Sequence, residues 1–331
     1  MIGVLRETWP GEARVGATPS TVRSLVVAGH PVIVEQSAGV ASGYADDDYI
    51  RAGAEIAPTA EETIDRAAVL WKVLRPSAHE VSLLRSRAQG VDRPAHAVLA
   101  LMHAGPELPE GVTVYAAERL RDGSGARPVL AAMSEIAGPL AVGMAAAALG
   151  RASGGRGLLL GGVAGVPPAE VVVIGAGVAG RGAAGLAAAM GASVTLLDVD
   201  LARLRAVVGP GGIPGLRTML ATPHAVERVL AYADVVIAAV HDGSGVAPRV
   251  AGRAHLALMQ PGAVVVDLSV TDGGAFASTP TTTLDAPGRV VDGVVHVGVP
   301  NLAGNVPRTA SQAYAQAALP FVHEAAQAAQ A

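Results

Sequence analysis

Val171-Val172-Val173-Ile174-Gly175-Ala176-Gly177-Val178-Ala179-Gly180 is the stretch that decides the fold. Four β-branched residues read as a buried strand that runs directly into Gly-x-Gly-x-x-Gly, with a helical stretch behind it. In a chain with 41 glycines the glycine spacing alone says little. Between strand and helix it acquires a mechanism. Gly175 permits the tight turn, Gly177 lets backbone approach a pyrophosphate, and Gly180 lets helix and strand pack closely. The helix start at Val178 then offers N–H groups and the positive end of its dipole to phosphate. The next strand ends at Asp198, 18 residues after Gly180 (198 − 180), where a carboxylate accepts hydrogen bonds from ribose hydroxyls. Asp200 adds charge of the same sign and the nearest arginine is Arg203, so a 2′-phosphate is disfavoured and the expected cofactor is NAD rather than NADP.

Working outward, the strand–helix rhythm continues with strands at 193–197, 234–239 and 263–268 and a helix at 178–190, which predicts a doubly wound parallel sheet covered on both faces. The N-terminal part has its own alternation, with strands at 2–5, 31–35, 68–74 and 96–102. Thr18-Pro19-Ser20 opens a helix running to about Ala28, with Pro19 near its first position. The polar segment 121–127 reads as a boundary, followed by an Ala-rich helix over about 132–152. The last 22 residues or so, 309–330, read as an amphipathic helix interrupted at Pro320. The fold class is therefore α/β: a Rossmann-type sheet inserted into a second, discontinuous α/β domain. The expected boundaries are 1–127 with 303–331 for one domain and 128–302 for the other.

Composition limits what such a chain does. Apolar residues are 51% and charged residues 16% of 331, enough for two cores and against disorder. A formal charge of −4 without a basic block leaves no electrostatic footprint for nucleic acid. Cysteine is absent, which excludes disulfides and thiolate chemistry, and no metal is expected. Charge at Arg6 and Glu7 comes too early for a signal peptide. The apolar stretches 129–150 and 158–180 are broken by Glu135, Pro139 and Pro167-Pro168, so a buried helix and a buried strand are expected rather than membrane spans, in a cytoplasmic protein. Lys72 is the single lysine among 24 basic residues, which hints at a specific need for an ammonium there.

Several further segments carry a family resemblance. Glu12-Ala13-Arg14-Val15-Gly16-Ala17-Thr18-Pro19, Met133-Ser134-Glu135-Ile136-Ala137-Gly138, Gly161-Gly162-Val163-Ala164-Gly165-Val166-Pro167-Pro168-Ala169, Val266-Asp267-Leu268-Ser269 and Asn301 through Arg308 together resemble the alanine dehydrogenases and the NAD-binding domain of proton-translocating transhydrogenases. The resemblance implies a reversible, NAD-dependent oxidative deamination of L-alanine to pyruvate and ammonium, with the active site in a cleft between a substrate domain and the nucleotide domain. It implies a small-molecule amino-acid, keto-acid or imine substrate and a homo-oligomer. By the same resemblance Arg14 grips the substrate carboxylate, His103 transfers protons and Asn301 lies near the nicotinamide. Ser134, Val178, Val240 and Leu268 line the dinucleotide alongside Gly175, Gly177, Gly180 and Asp198.

Two positions depart from the alanine dehydrogenase pattern. Where that family has Lys-Val-Lys this chain has Lys72-Val73-Leu74, so the second, substrate-contacting lysine is a leucine. Residues i and i+2 of a strand face the same way, which makes Lys72 a candidate substrate ligand from one step back. The family's catalytic aspartate falls on Thr271, with a carboxylate one residue later at Asp272, the candidate replacement. The departures keep two alternatives open: an NADH-dependent imine or keto-acid reductase, and a transhydrogenase-like NAD-binding module without alanine dehydrogenase activity.

Overall fold

The structure is a computed structural model that describes residues 1–88, 96–102, 107–209, 211–241 and 246–330. The chain divides into two compact units, Met1–Met133 with Gly304–Ala331, and Ser134–Ala303.

The first unit holds a six-stranded sheet: β1 (Ile2–Val4), β2 (Val32–Glu35), β3 (Glu55–Ala57), β4 (Val69–Leu74), β5 (Ala97–Leu101) and β6 (Thr113–Ala116). Their order is β3-β2-β1-β4-β5-β6, every pair parallel. Parallel strands joined by crossovers need apolar residues on both faces, and β1, β2 and β5 are buried along their full length. The order reverses between β1 and β4, and in such sheets the crevice at the carboxyl ends of the two strands flanking the reversal takes the ligand. The helix Pro19–Val27 starts where expected, its N-cap Thr18 accepting from Thr21 N and Pro19 at its first turn.

The second unit repeats this winding. Its strands are β7 (Glu170–Ile174), β8 (Ser193–Asp198), β9 (Arg217–Leu220), β10 (Val235–Ala238), β11 (Val264–Asp267), β12 (Gly288–Val291) and β13 (Val294–Val297), ordered β12-β13-β11-β10-β7-β8-β9. All pair in parallel except the edge strand β12, which is antiparallel to β13. Here the order reverses between β7 and β10. Val171, Val173, Val235, Ile237, Val264 and Val266 form one face of the central core, and Val172, Ile174, Val236, Ala238 and Val265 form the other. Alternate residues of the same valine-rich runs thus feed two cores, which is why these strands are apolar throughout rather than alternating.

Three sequence expectations change. The final helix, Pro307–Ala328, runs unbroken through Pro320. Proline removes one donor, so the Gln316 carbonyl loses its intrahelical partner, but both residues are exposed and water can satisfy it. The helix read at 132–152 is Pro128–Ala148, and the unit border at 133/134 falls inside it. It is buried along part of its surface only, through Val129, Met133, Ala141, Val142, Ala145 and Ala148. Among the described residues it is also the one helix long and apolar enough to cross a membrane by length and composition.

Candidate active site and dinucleotide cradle

The glycines after β7 occupy positions other residues cannot. Gly175 has φ +105°, and a Cβ there would collide with the Ala239 carbonyl. A Cβ on Gly180 would strike the Gly175 carbonyl, so this residue sets how closely the helix Val178–Ala189 lies against its strand. Gly177 is different. Nothing lies within 4 Å of where its Cβ would be, and as the N-cap of that helix it makes no side-chain cap. The first turn therefore presents N–H groups beneath open space, the arrangement that receives a pyrophosphate.

Asp198, at the end of β8, is buried and held on both oxygens. Oδ2 accepts from Ala176 N at 2.6 Å, inside the glycine turn, and Oδ1 accepts from Asp200 N at 2.8 Å. Each carboxylate oxygen has a second lone pair, so a fixed acceptor pair remains for a ribose diol. Arg203 Nη1 lies 3.7 Å from Asp198 Oδ2. Open space over Gly177 and this fixed carboxylate both suit a dinucleotide. Val178 opens the helix, Val240 and Leu268 are half-buried just past β10 and β11, and Ser134 is half-buried near the start of this unit. Leu268 N donates to Ala238 O at 2.9 Å, and Ser269 Oγ to Val240 O at 2.6 Å, tying the two strand ends together. Asn301 is exposed with φ +53°, a left-handed conformation that asparagine tolerates better than most side chains. Asp272 is half-buried at the end of a one-turn segment, Val270–Asp272, and its Oδ2 lies 3.9 Å from His241 Nε2.

In the first unit Arg14 is fully buried and already forked: Nε donates to Glu12 Oε1 at 2.7 Å and Nη2 to Glu12 Oε2 at 2.6 Å. Its remaining corner, Nη1, faces the Met133 thioether at 3.4 Å, a weak acceptor for a charged donor. Glu12 thereby fixes the guanidinium plane. Two residues before an arginine on an extended segment, it carried no signal in the sequence beyond its proximity.

Lys72 is fully buried. Its Nζ donates to Glu80 Oε1 at 2.8 Å and to the Arg6 carbonyl at 3.0 Å, and Glu7 Oε2 lies 3.7 Å away. The expectation that Lys72 and Leu74 share a face assumes a regular strand, but the β4–β5 register shifts between Trp71 and Leu74. Glu7 Oε1 fills that irregularity, accepting from Val73 N at 2.7 Å and Leu74 N at 3.3 Å, while its Oε2 is buried without a hydrogen bond. Burial is the largest influence on Glu7 and pushes its carboxyl up to about 7; the Lys72 ammonium pulls the other way. Glu7 is far from Lys72 in sequence and Glu80 lies eight residues after it on the following helix, and neither was legible as its partner. His103 lies outside the described residues.

Two doubly wound units, one carrying a dinucleotide cradle and the other a buried, pre-oriented arginine, define an oxidoreductase-type α/β protein. The family comparison agrees along the chain. Residues 3–137 match the model for the alanine dehydrogenase/PNT N-terminal domain and residues 141–331 that for the alanine dehydrogenase/PNT C-terminal domain. Alanine dehydrogenase from Mycolicibacterium smegmatis is 39% identical over 97% of this chain and 86% of its own length, and that of Halomonas elongata is 40% identical over the same shares. Among solved structures, an L-alanine dehydrogenase superposes with TM-score 0.88 at 37% identity, covering 98% of this chain and 90% of that one. The transhydrogenase from Sinorhizobium meliloti gives 0.81 at 31% identity over 98% and 93%. The chain belongs to the alanine dehydrogenase/PNT family.

Proposed function

We propose that this protein is a cytoplasmic, NAD-dependent amino-acid dehydrogenase whose substrate is L-alanine, deaminated reversibly to pyruvate and ammonium. The observation that carries the reading is Arg14, fully buried and held by Glu12, in a chain similar to alanine dehydrogenases along nearly its full length. Nη1 is the corner that Glu12 leaves for a substrate carboxylate, and a guanidinium fixed beforehand loses little freedom on binding. Asp198 receives the adenosine ribose and, with Asp200, repels a 2′-phosphate, which selects NAD over NADP. When bound, the nicotinamide accepts the hydride from the substrate's α-carbon. On the family resemblance alone, His103 is one proton-transfer group for the substrate. Lys72, with Glu80, Glu7 and the Arg6 carbonyl around its ammonium, supports β4 from inside rather than contacting substrate. A homo-oligomer is the expected assembly.

A second reading is favoured by Leu74. With Lys72 enclosed and Leu74 apolar, Arg14 is the cation left from the family's pair, which suits a bulkier amino or 2-oxo acid or an imine. Initial rates with a panel of L-amino acids and NAD, and of 2-oxo acids and imines with ammonium and NADH, separate the two. The first reading requires L-alanine and pyruvate to give the highest kcat/KM. A higher value for a larger substrate replaces it with the second.

A further inference from the structure

His241 is a histidine that the dehydrogenase reading leaves unused, and it lies beside Asp272, the candidate replacement for the family's catalytic aspartate. His241 Nε2 lies 3.9 Å from Asp272 Oδ2, with the side chains 41% and 23% exposed. The two residues come from different loops, and both loops are tied down close to the pair. On one side, Ala238 O accepts from Leu268 N, and Val240 O, one residue before His241, accepts from Ser269 Oγ. On the other, Asp272 O accepts from Ala247 N at 2.8 Å, and Asp272 N and Gly274 N both donate to Ser269 O at 2.9 Å. Gly273, at φ +95°, turns the chain immediately after the carboxylate. Below it, Asp267 accepts from Ser269 N and Phe276 N, so the base of the loop is itself anchored.

The position of the pair in the sheet gives it meaning. A dinucleotide lies across the point where strand order reverses, one mononucleotide on each half. Asp198, at the end of β8, marks the β7-β8-β9 half as the adenosine side. The β10-β11-β13 half is then the nicotinamide side. His241 stands three residues past β10 and Asp272 five past β11, both at the carboxyl edge of that half. For hydride transfer the reacting substrate carbon must stand against the nicotinamide, so a proton-transfer group at this edge is near the chemistry.

We propose that His241 is a further catalytic residue, a proton-transfer group at the nicotinamide end of the cradle, and that Asp272 is its positioning residue. The inference rests on the dehydrogenase reading above. In the deamination direction one ammonium proton passes to solvent and Cα gives up a hydride, which NAD held in the cradle would accept, leaving a substrate iminium. Water then forms the C–O bond to the iminium carbon while His241 takes a proton from it. The imidazolium returns that proton to nitrogen, the C–N bond breaks with its electron pair leaving on ammonia, and the hydroxyl proton passes to that ammonia. The products are the 2-oxo acid and ammonium, and His241 ends neutral. A carboxylate 3.9 Å from the ring stands where a protonated imidazole finds a counter-charge. Asp272 thus recovers a role that Thr271, one residue earlier, has no charge to fill. Among the described residues, charged groups near the pair include Arg249, whose Nη1 donates to Gly273 O at 3.2 Å, and Asp267 beneath.

The test compares wild type with His241→Gln and Asp272→Asn in kcat against pH, in NADH affinity by fluorescence, and in the imidazole ring signals by NMR. His241→Gln should lower kcat by roughly a hundredfold, remove one ionisation from the kcat profile, and leave the NADH Kd within about threefold. Asp272→Asn should lower kcat less than His241→Gln does and displace the His241 ring signals, because the ring loses its carboxylate neighbour. An unchanged kcat profile in His241→Gln overturns the proposal, and so does a loss confined to NADH affinity. If wild type turns over none of the substrates, the dehydrogenase reading fails separately. The NMR arm still decides the pair: His241 ring signals that are displaced in Asp272→Asn and again when NADH is added support it, and signals that do neither overturn it.

Discussion

Replacing Glu7 by glutamine removes an ionisation buried beside Lys72 while keeping an oxygen that can accept from Val73 N and Leu74 N. Burial raises the folded-state pKa from 4.5 to about 7. The folded chain therefore holds a proton on Glu7 over a range where the unfolded chain has released it. The stabilisation of the protonated form is complete below about pH 4.5 and is lost as pH rises through about 7. A move from 4.5 to about 7 corresponds to on the order of 3 kcal/mol between the two protonation states. Glutamine cannot ionise, so its stability lacks that decline. Its amide nitrogen facing Lys72 Nζ adds a cost, but one nearly the same at every pH. The stability of Glu7→Gln relative to wild type should therefore rise by on the order of 3 kcal/mol between about pH 4 and pH 8. Urea unfolding followed by tryptophan fluorescence reads this directly, because both tryptophans, Trp9 and Trp71, lie in the unit that contains Glu7. Other raised carboxyls, such as Glu35 and Asp267, titrate in both proteins and largely cancel in the difference. Parallel stability curves for the two proteins would refute the assignment of a near-neutral pKa to Glu7, and with it the account of the Lys72 cluster.

Three further outcomes follow from the geometry. Asp198→Asn should weaken NADH binding by roughly tenfold or more, since a hydrogen bond to a charged acceptor contributes about 1.5–3 kcal/mol, and should raise kcat/KM with NADP; unchanged cofactor preference counts against Asp198 as the selector. Gly180→Ala places a methyl against the Gly175 carbonyl, so NADH affinity should fall at least tenfold by fluorescence titration, and a full-affinity variant would mean that the helix can shift freely. Glu12→Gln keeps the volume beside Arg14 but loses the charge of the fork, and the KM for the amino acid should rise several-fold with little change in NADH Kd.

The strand, the glycine turn and the helix after it were legible because their constraints are local. Gly175, Gly177 and Gly180 each answer a requirement set by the neighbouring turn, and Asp198 follows at the length of one helix and one strand. The valine runs were legible as strands for the same reason. The β12–β13 hairpin was missed although Asp292-Gly293, with φ +47° and +81°, is the turn pair that such two-residue connections favour. Long-range pairings were not legible at all. Nothing in the sequence ties Glu7 or Glu80 to Lys72, or His241 to Asp272; those distances exist only once the strands are ordered. For Lys72 the i, i+2 rule presumes a strand without the irregularity between Trp71 and Leu74, which no sequence pattern announces. Pro320 misled because an exposed helix position can lose one hydrogen bond to water at small cost.

The central claim is most directly tested by incubating the purified protein with L-alanine and NAD and measuring NADH, pyruvate and ammonium together. The account predicts that all three appear in equal amounts, that NADP supports little of this, and that Arg14→Ala raises the KM for alanine far more than it alters NADH affinity. Tight NADH binding without product from L-alanine or any other amino acid would contradict it.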